Sequence, residues 1–117
     1  MSELIYKAES FKVHRELGKG HDEIVYKDAL QFELGVNQIL FAREKEYRIH
    51  YKTIILPHKY YADFVVFDKM LLEAKAVDCL TDSHVKQVLN YLAASKLKLG
   101  LLVNFGEDSL VYKRIVL

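Results

Sequence analysis

Two apolar runs separated by a very short connection constrain the fold more than any other part of this sequence. The first run covers residues 60–67 and the second covers residues 70–77, with only Asp68 and Lys69 between them. Runs of this length, rich in aromatic and β-branched residues, are typical of buried strands. Because a two-residue connection joins antiparallel strands, the pattern predicts a β-hairpin.

Ionisable residues interrupt both apolar runs. Asp63 lies in the first run, and Glu73 and Lys75 flank Ala74 in the second. Side chains alternate between the faces of a strand, so Glu73 and Lys75 share a face, and pairing of the hairpin brings Asp63 near Glu73. Such charges are costly to bury unless they are paired. Two carboxylates and the carbonyl of Ala74 suit Mg²⁺ or Mn²⁺, and a purely structural ion cluster is the open alternative.

The rest of the chain predicts helices packed on a mixed sheet. Asp22 is a suitable N-cap for one helix, and Thr81 or Asp82 for another. A strand with a charged middle, residues 38–49, is typical of a sheet edge, and Pro57 would end a short strand. In chain order we expect two helices (9–17 and 22–35), four strands (38–49, 51–56, 60–67 and 70–77), a helix (83–96) and two strands (101–105 and 110–116). The expected fold class is α/β, with helices flanking the sheet.

Composition favours one compact domain over residues 1–117, because 51% of the residues are hydrophobic and the length suits a single core. The formal charge of +1 counts against binding of nucleic acid by bulk electrostatics, although a local basic patch stays open. With one cysteine, Cys79, the chain forms no internal disulfide. The N-terminal segment lacks the pattern of a signal peptide, and we therefore expect a soluble cytoplasmic protein.

Polar residues on two of the predicted helices add candidates to the charged strand residues. Glu23 and Tyr26 share a helix face, and Glu23 would be a third carboxylate, unless it is an exposed residue that favours the helix N-terminus. Gln87 and Tyr91 lie four residues apart on the later helix, with His84 one turn earlier. The alternative is the wet side of an amphipathic helix, and we prefer that interpretation for His84.

Several of these segments together resemble the GxxExxY protein family. Gly20, Glu23 and Tyr26 have the spacing of its signature, and segments 86–92, 100–106 and 113–115 also match. The resemblance extends from about Leu17 to Ile115. The family is similar to the PD-(D/E)XK nuclease superfamily, whose core is α-β-β-β-α-β. The resemblance therefore implies a restriction-endonuclease-like fold.

The resemblance also implies roles for the candidate residues. Asp63 matches the motif aspartate, preceded by Ala62 and not by proline, and Glu73 and Lys75 match the E-x-K element. Glu23 matches the acid on the first core helix. Gln87 and Tyr91 match the Q-x-x-x-Y element, which helps to position substrate or metal-site groups.

The function implied by the resemblance is hydrolysis of nucleic-acid phosphodiester bonds, with DNA as the expected substrate and Mg²⁺ or Mn²⁺ as cofactor. Glu23, Asp63 and Glu73 would hold the metal, and Lys75 would assist the attacking water. A homodimer or a partner protein would enlarge the small surface available for DNA. The competing hypothesis is a non-catalytic module that binds nucleic acid or protein and retains the charged residues for stability. Hydrolysis of another phosphate ester is a third possibility.

Overall fold

The computed structural model describes residues 2–117, with side chains from Lys7 onward. These residues form the helices α1 (Ser2–Leu17), α2 (Glu23–Val36) and α3 (Asp82–Ser95) and the strands β1 (Phe41–Tyr51), β2 (Ile54–Val66), β3 (Met70–Lys75), β4 (Leu99–Asn104) and β5 (Val111–Val116). Within this range no helix is long and apolar enough to cross a membrane.

The strands form one mixed sheet in the order β1-β2-β3-β4-β5. All neighbouring strands are antiparallel except β3 and β4, which are parallel. A parallel pair requires a crossover connection, and α3 provides it. The α/β fold predicted from the sequence is therefore confirmed, and the charged strand β1 lies at an edge of the sheet, as expected.

The predicted hairpin is β2–β3, but its connection is longer than the sequence suggests. Val66 opposes Met70, and the Lys69 N–H donates a 3.1 Å hydrogen bond to the Val66 carbonyl. Phe67 and Asp68 both have a φ of 55°. Two successive residues with positive φ are the geometry of a type I′ turn, the turn that matches the twist of antiparallel strands. Phe67 therefore belongs to the turn and not to the strand.

The predicted break at Pro57 is wrong, because β2 continues through the proline. Arg48 opposes Lys59, whereas His50 opposes Ile55, so β2 carries extra residues around Pro57 between these two pairs. A bulge of this kind accommodates a residue that has no N–H to donate. The strand predicted over 51–56 is therefore part of β2 and of the turn that precedes it.

Other boundaries also differ, among them those of α1 and β3. α1 begins at Ser2 and not at Glu9, and β3 ends at Lys75 and not at Val77.

Helices cover both faces of the sheet. Tyr26, Leu30 and Leu34 of α2 pack on one face, and Val88 and Leu92 of α3 pack on the other. Every residue of β4 after Leu99 is buried, as predicted for a central strand. The two helical layers hold β3, with its charged residues, in the middle of the molecule.

Candidate active site

The carboxylates of Asp63 and Glu73 lie where β2 and β3 separate. Pairing of these strands ends at Phe64 and Leu72, one residue before the two acids. The Asp63 N–H donates to Glu73 Oε2 at 2.7 Å, and the Ala74 N–H donates to Asp63 Oδ2 at 2.9 Å. The carboxylates thus accept hydrogen bonds from backbone N–H groups that would donate to backbone carbonyls if the pairing of β2 and β3 continued. Asp63 is 7% exposed and Glu73 is 2% exposed, so the sequence-predicted pair is brought together and buried.

The ammonium group of Lys27 lies between three carboxylates. Its Nζ is 3.0 Å from Asp63 Oδ1, 2.8 Å from Glu44 Oε1 and 3.7 Å from Glu23 Oε2. Lys27 comes from α2 and is itself buried. Sequence reasoning did not select Lys27, although a Glu-to-Lys spacing of four on one helix was a signal for it.

Glu44 reaches this cluster because β1 is distorted opposite Asp63. Arg43 pairs with Phe64 and Lys45 with Ala62, but Glu44 makes no ladder pair and has a φ of 52°. Positive φ in a non-glycine residue is sparsely populated and costs about 1–3 kcal/mol. A distortion of this kind re-aims a side chain. Glu44 was missed because the charged middle of β1 was interpreted as a solvated edge.

The pKa values of one acid and one base in this cluster are both raised, for different reasons. Burial raises the pKa of Glu73 well above that of an ordinary glutamate, and the neighbouring charge of Asp63 raises it further. Burial alone would lower the pKa of Lys27, but its hydrogen bonds to Glu44 and Asp63 outweigh that effect and raise the pKa. Lys27 therefore stays charged, whereas Glu73 resists ionisation. Perturbed groups of this kind are a feature of functional sites and also of structural ion networks.

Lys75 ends β3, two residues beyond Glu73, and its positive charge offsets part of the rise that burial causes in the pKa of that acid. Within the described part of the chain, the Lys75 ammonium makes no hydrogen bond or ion pair. It is therefore the uncommitted cation next to the carboxylate pair, in contrast to Lys27.

The backbone around Lys75 is fixed by β4 and the residues that follow it. The Phe105 N–H donates to the Lys75 carbonyl at 2.8 Å. Just beyond, the side-chain amide of Asn104 accepts from the Val77 N–H at 3.0 Å and donates to the Val77 carbonyl at 2.9 Å. This double hydrogen bond, which we call the Asn104 clasp, holds the segment after β3 against the end of β4.

Gln87 and Tyr91 line a groove between α3 and β2. The groove has a volume of about 460 Å³. The Tyr91 ring packs against Tyr60 with centroids 4.9 Å apart. Burial raises the pKa of Tyr91, and so do the negative charges of Glu73 and Asp63, which places the groove next to the carboxylates. Its wall also includes His58, Lys59, Tyr61, Ser83, Lys86 and Asn90.

Two other motif residues have structural roles. Tyr26 is fully buried, donates a 2.6 Å hydrogen bond to the Gly18 carbonyl and stacks on Phe105 with centroids 4.7 Å apart. It anchors the loop before α2 and does not enter the carboxylate cluster. His84 accepts a 2.9 Å hydrogen bond from the Thr81 N–H at the start of α3, in agreement with its assignment as a non-site residue.

The oxygen-rich composition of the cluster fits a hard divalent cation. Four carboxyl groups (Glu23, Glu44, Asp63 and Glu73) face two ammonium groups (Lys27 and Lys75), which leaves a surplus of acid. In the arrangement observed, both oxygens of Asp63 already have partners. Over the side chains described from Lys7 onward, no three acids, histidines or cysteines converge in a metal-holding arrangement. The ligand chemistry fits a metal, and the Lys27 ammonium lies at the point where three of the acids meet.

Comparison with known proteins identifies the family. The profile of the PD-(D/E)XK nuclease superfamily matches residues 1–115, and the chain belongs to that superfamily. Nucleases of this superfamily generally use divalent metal ions. No curated protein matches the sequence.

A solved structure supports the fold. The crystal structure of SSO0001 superposes with a TM-score of 0.65 at 20% sequence identity. The match covers 79% of this chain but only 48% of SSO0001, so the chain corresponds to about half of that protein. At this identity the likeness establishes the restriction-endonuclease-like architecture alone.

Proposed function

We propose that the chain is a metal-dependent nuclease of the GxxExxY group that hydrolyses phosphodiester bonds in nucleic acid. The observation that carries the proposal is the pair of buried carboxylates, Asp63 and Glu73, hydrogen-bonded across two separating strands with the uncommitted ammonium of Lys75 beside them. A buried carboxyl group with a raised pKa, such as that of Glu73, favours a catalytic role in a family of nucleases.

Each side chain has a proposed role. Asp63 and Glu73, with Glu23 from α2, would hold Mg²⁺ or Mn²⁺, which when bound lowers the pKa of water and stabilises charge on phosphate oxygens. Lys75 would orient the attacking water or stabilise the developing negative charge, because its ammonium is not held by another residue. Gln87 and Tyr91 would position the substrate from α3.

The groove between α3 and β2 supports nucleic acid as the substrate. Lys59 and Lys86 provide cations for phosphates, and Tyr60 and Tyr91 provide aromatic faces for bases. Base stacking on aromatic rings and lysine contacts to phosphate are the usual components of such grooves. The overall charge of +1 then matters less than this local arrangement. We propose DNA as the substrate.

We also propose that residues 1–117 act as a single domain in the cytoplasm. Because the match covers only 48% of SSO0001, we propose that a homodimer or a partner protein supplies additional surface for the substrate.

Cleavage assays with a matched lysine variant test the nuclease proposal. Single-stranded, duplex and branched DNA and RNA would be incubated with the protein and Mg²⁺ or Mn²⁺. We expect cleavage of at least one substrate, its loss in the Lys75→Ala variant, and its retention in Lys69→Ala, which removes an exposed lysine of the β2–β3 turn. Circular dichroism would establish that both variants are folded. Failure of the folded wild-type protein to cut any substrate with either metal would refute the proposal.

A non-catalytic binding module is the second candidate, and the pairing of Lys27 with Asp63 favours it. A carboxylate neutralised by an internal lysine is what a structural ion cluster contains. On this hypothesis, the groove would bind nucleic acid with no cleavage, and Lys75→Ala would leave binding unchanged.

A further inference from the structure

We propose that the ammonium group of Lys27 is an internal counter-ion that a divalent metal must displace before it binds Asp63. The inference rests on the proposed function in one respect, since it concerns two of the same carboxylates, Glu23 and Asp63. It adds that the site has two mutually exclusive charge-balanced states, one with Lys27 and one with metal.

The geometry places both cations at one point. Glu23, Glu44 and Asp63 come from α2, β1 and β2, and each approaches the single Lys27 Nζ at 2.8–3.7 Å. Among the described side chains these three acids are not in a metal-holding arrangement while the ammonium lies between them, but carboxylate oxygens are the ligands that Mg²⁺ or Mn²⁺ takes. Asp63 Oδ2 is committed to the Ala74 N–H, so Oδ1, the oxygen that contacts Lys27, is the one available to a metal.

Electrostatic repulsion prevents joint occupancy. Two positive charges at contact distance repel each other strongly in a partly buried cluster, and a divalent ion doubles the repulsion of a monovalent one. The lysine stem has several rotatable bonds and no rigid donor geometry, so Lys27 can withdraw without a change in α2. Binding of the metal therefore includes the loss of Lys27 from the cluster.

The strained backbone of Glu44 supports a dedicated arrangement. Glu44 lies on the edge strand β1, at the position opposite Asp63, between the pairs Arg43–Phe64 and Lys45–Ala62. Its φ of 52° accompanies a 2.8 Å ion pair with Lys27. The cluster is thus organised around one cation position, and the metal-free protein fills that position itself.

Metal binding in the absence of substrate provides the first test. Lys27→Met keeps an unbranched side chain that is one atom shorter and removes its charge, and Lys69→Met makes the same change of net charge in the exposed turn. By calorimetric titration with Mn²⁺, we expect Lys27→Met to bind at least about tenfold more tightly than the wild type, and Lys69→Met to bind like the wild type. Without metal, we expect Lys27→Met to have the lower melting temperature, and Mn²⁺ to raise it more than it raises that of the wild type.

A second measurement takes its main readout from the wild-type protein. In a protein with isotopically labelled lysine side chains, addition of Mg²⁺ should shift the Lys27 ammonium or adjacent methylene resonance towards the position of a solvated lysine. The same addition should leave this resonance unchanged in the Asp63→Asn variant.

The outcomes separate this inference from the proposed function. If Mg²⁺ binds at Asp63 while the Lys27 resonance stays fixed, or if Lys27→Met binds Mn²⁺ no more tightly than the wild type, the exchange is refuted and the nuclease proposal stands. If the exchange occurs but no substrate is cut, the exchange stands and the nuclease proposal falls. Absence of metal binding in both the wild type and Lys27→Met would overturn both.

Discussion

At the scale of single residues, Glu73 and Lys27 differ in how far their partners in the buried cluster compensate the cost of burying their charge. The pKa of Glu73 is raised chiefly by burial, and that of Lys27 is raised because its bonds to carboxylates outweigh burial. Lys27 is paired with three carboxylates, whereas Glu73, among the side chains described from Lys7 onward, accepts a hydrogen bond only from the Asp63 N–H and keeps a strong tendency to hold a proton. The stability of the metal-free protein should reflect this difference.

Replacement of Glu73 by glutamine should change how stability depends on pH. An acid whose pKa is higher in the folded state contributes most below its unfolded pKa, about 4.3, and that contribution is lost as pH rises towards the folded value. The loss is about 1.4 kcal/mol for each unit of difference. With chelator present, the unfolding free energy of Glu73→Gln should therefore exceed that of the wild type increasingly as pH rises from 4 to 8.

Urea denaturation at a series of pH values measures this effect. Glu16→Gln, an exposed change on α1, serves as the control and should give a curve parallel to the wild type. Parallel curves for Glu73→Gln and the wild type would show that the raised pKa is incorrect.

At the scale of elements, the position of Lys75 depends on how closely two loops approach each other. The segment after β3 lies against the loop after β4, joined by the Asn104 clasp. Gly106 lies at the point of contact, where an added Cβ would be only 2.2 Å from the Val77 carbonyl oxygen and 2.5 Å from the Val77 nitrogen. Because both neighbours are backbone atoms, neither can rotate away.

The Gly106→Ala variant should therefore be destabilised by at least about 2 kcal/mol, since overpacking against backbone forces both loops apart. Gly35→Ala is the matched control, because nothing lies within 4 Å of a Cβ added at Gly35 in α2. That change should stabilise the protein by about 0.5–1 kcal/mol through the helix preference of alanine. Chemical denaturation of the two variants measures both effects. Equal stabilities would contradict the close approach at Gly106.

Sequence reasoning worked best at the element scale, where the determinants are local. Two apolar runs and a short connection were sufficient to predict the β2–β3 hairpin. N-cap residues were sufficient to predict where α2 and α3 begin. Pro57 misled it, because a proline that ends most strands fits here in a bulge that depends on the register with β1. Phe67 was misplaced because apolar character does not distinguish the last residue of a strand from a turn residue with positive φ.

The candidate site was predictable to the extent that its residues are close in sequence or belong to a recognised motif. Asp63 and Glu73 face each other because they flank one hairpin turn. Lys27 and Glu44 reach Asp63 from 36 and 19 residues away in the sequence, so their contacts depend on how α2 and β1 pack. No spacing rule encodes such distances, which is why the cation position remained hidden until the fold was known.

At the scale of the whole molecule, the number of strands that lie side by side differs along the sheet. β1 pairs with β2 from Tyr51 and Ile54 to Phe41 and Val66, but β3 pairs with β2 only over residues 64–66. The far half of the β1–β2 hairpin therefore has a strand neighbour on one side only. Near its tip, Tyr51, Ile54 and Ile55 are about half exposed.

Amide hydrogen exchange should reveal this division within β2. A two-stranded ribbon is marginally stable in water, whereas strands enclosed by neighbours and helices open only with global unfolding. We expect amides in residues 54–59 to exchange faster than those in residues 64–66 and in β4 by orders of magnitude. Nuclear magnetic resonance exchange measurements at several pH values test this, and uniform protection along β2 would contradict it.

The unequal pairing of β2 has a consequence for how the molecule meets a ligand. Lys59 and Tyr60, on one wall of the groove, lie at the boundary of the ribbon that opens locally, whereas Asp63 lies at the start of the protected half. Local opening of the ribbon would let that wall of the groove adjust to nucleic acids of different width. The carboxylates would keep their spacing, since the Asp63 and Ala74 N–H groups bind them next to the paired residues 64–66 and not in the ribbon.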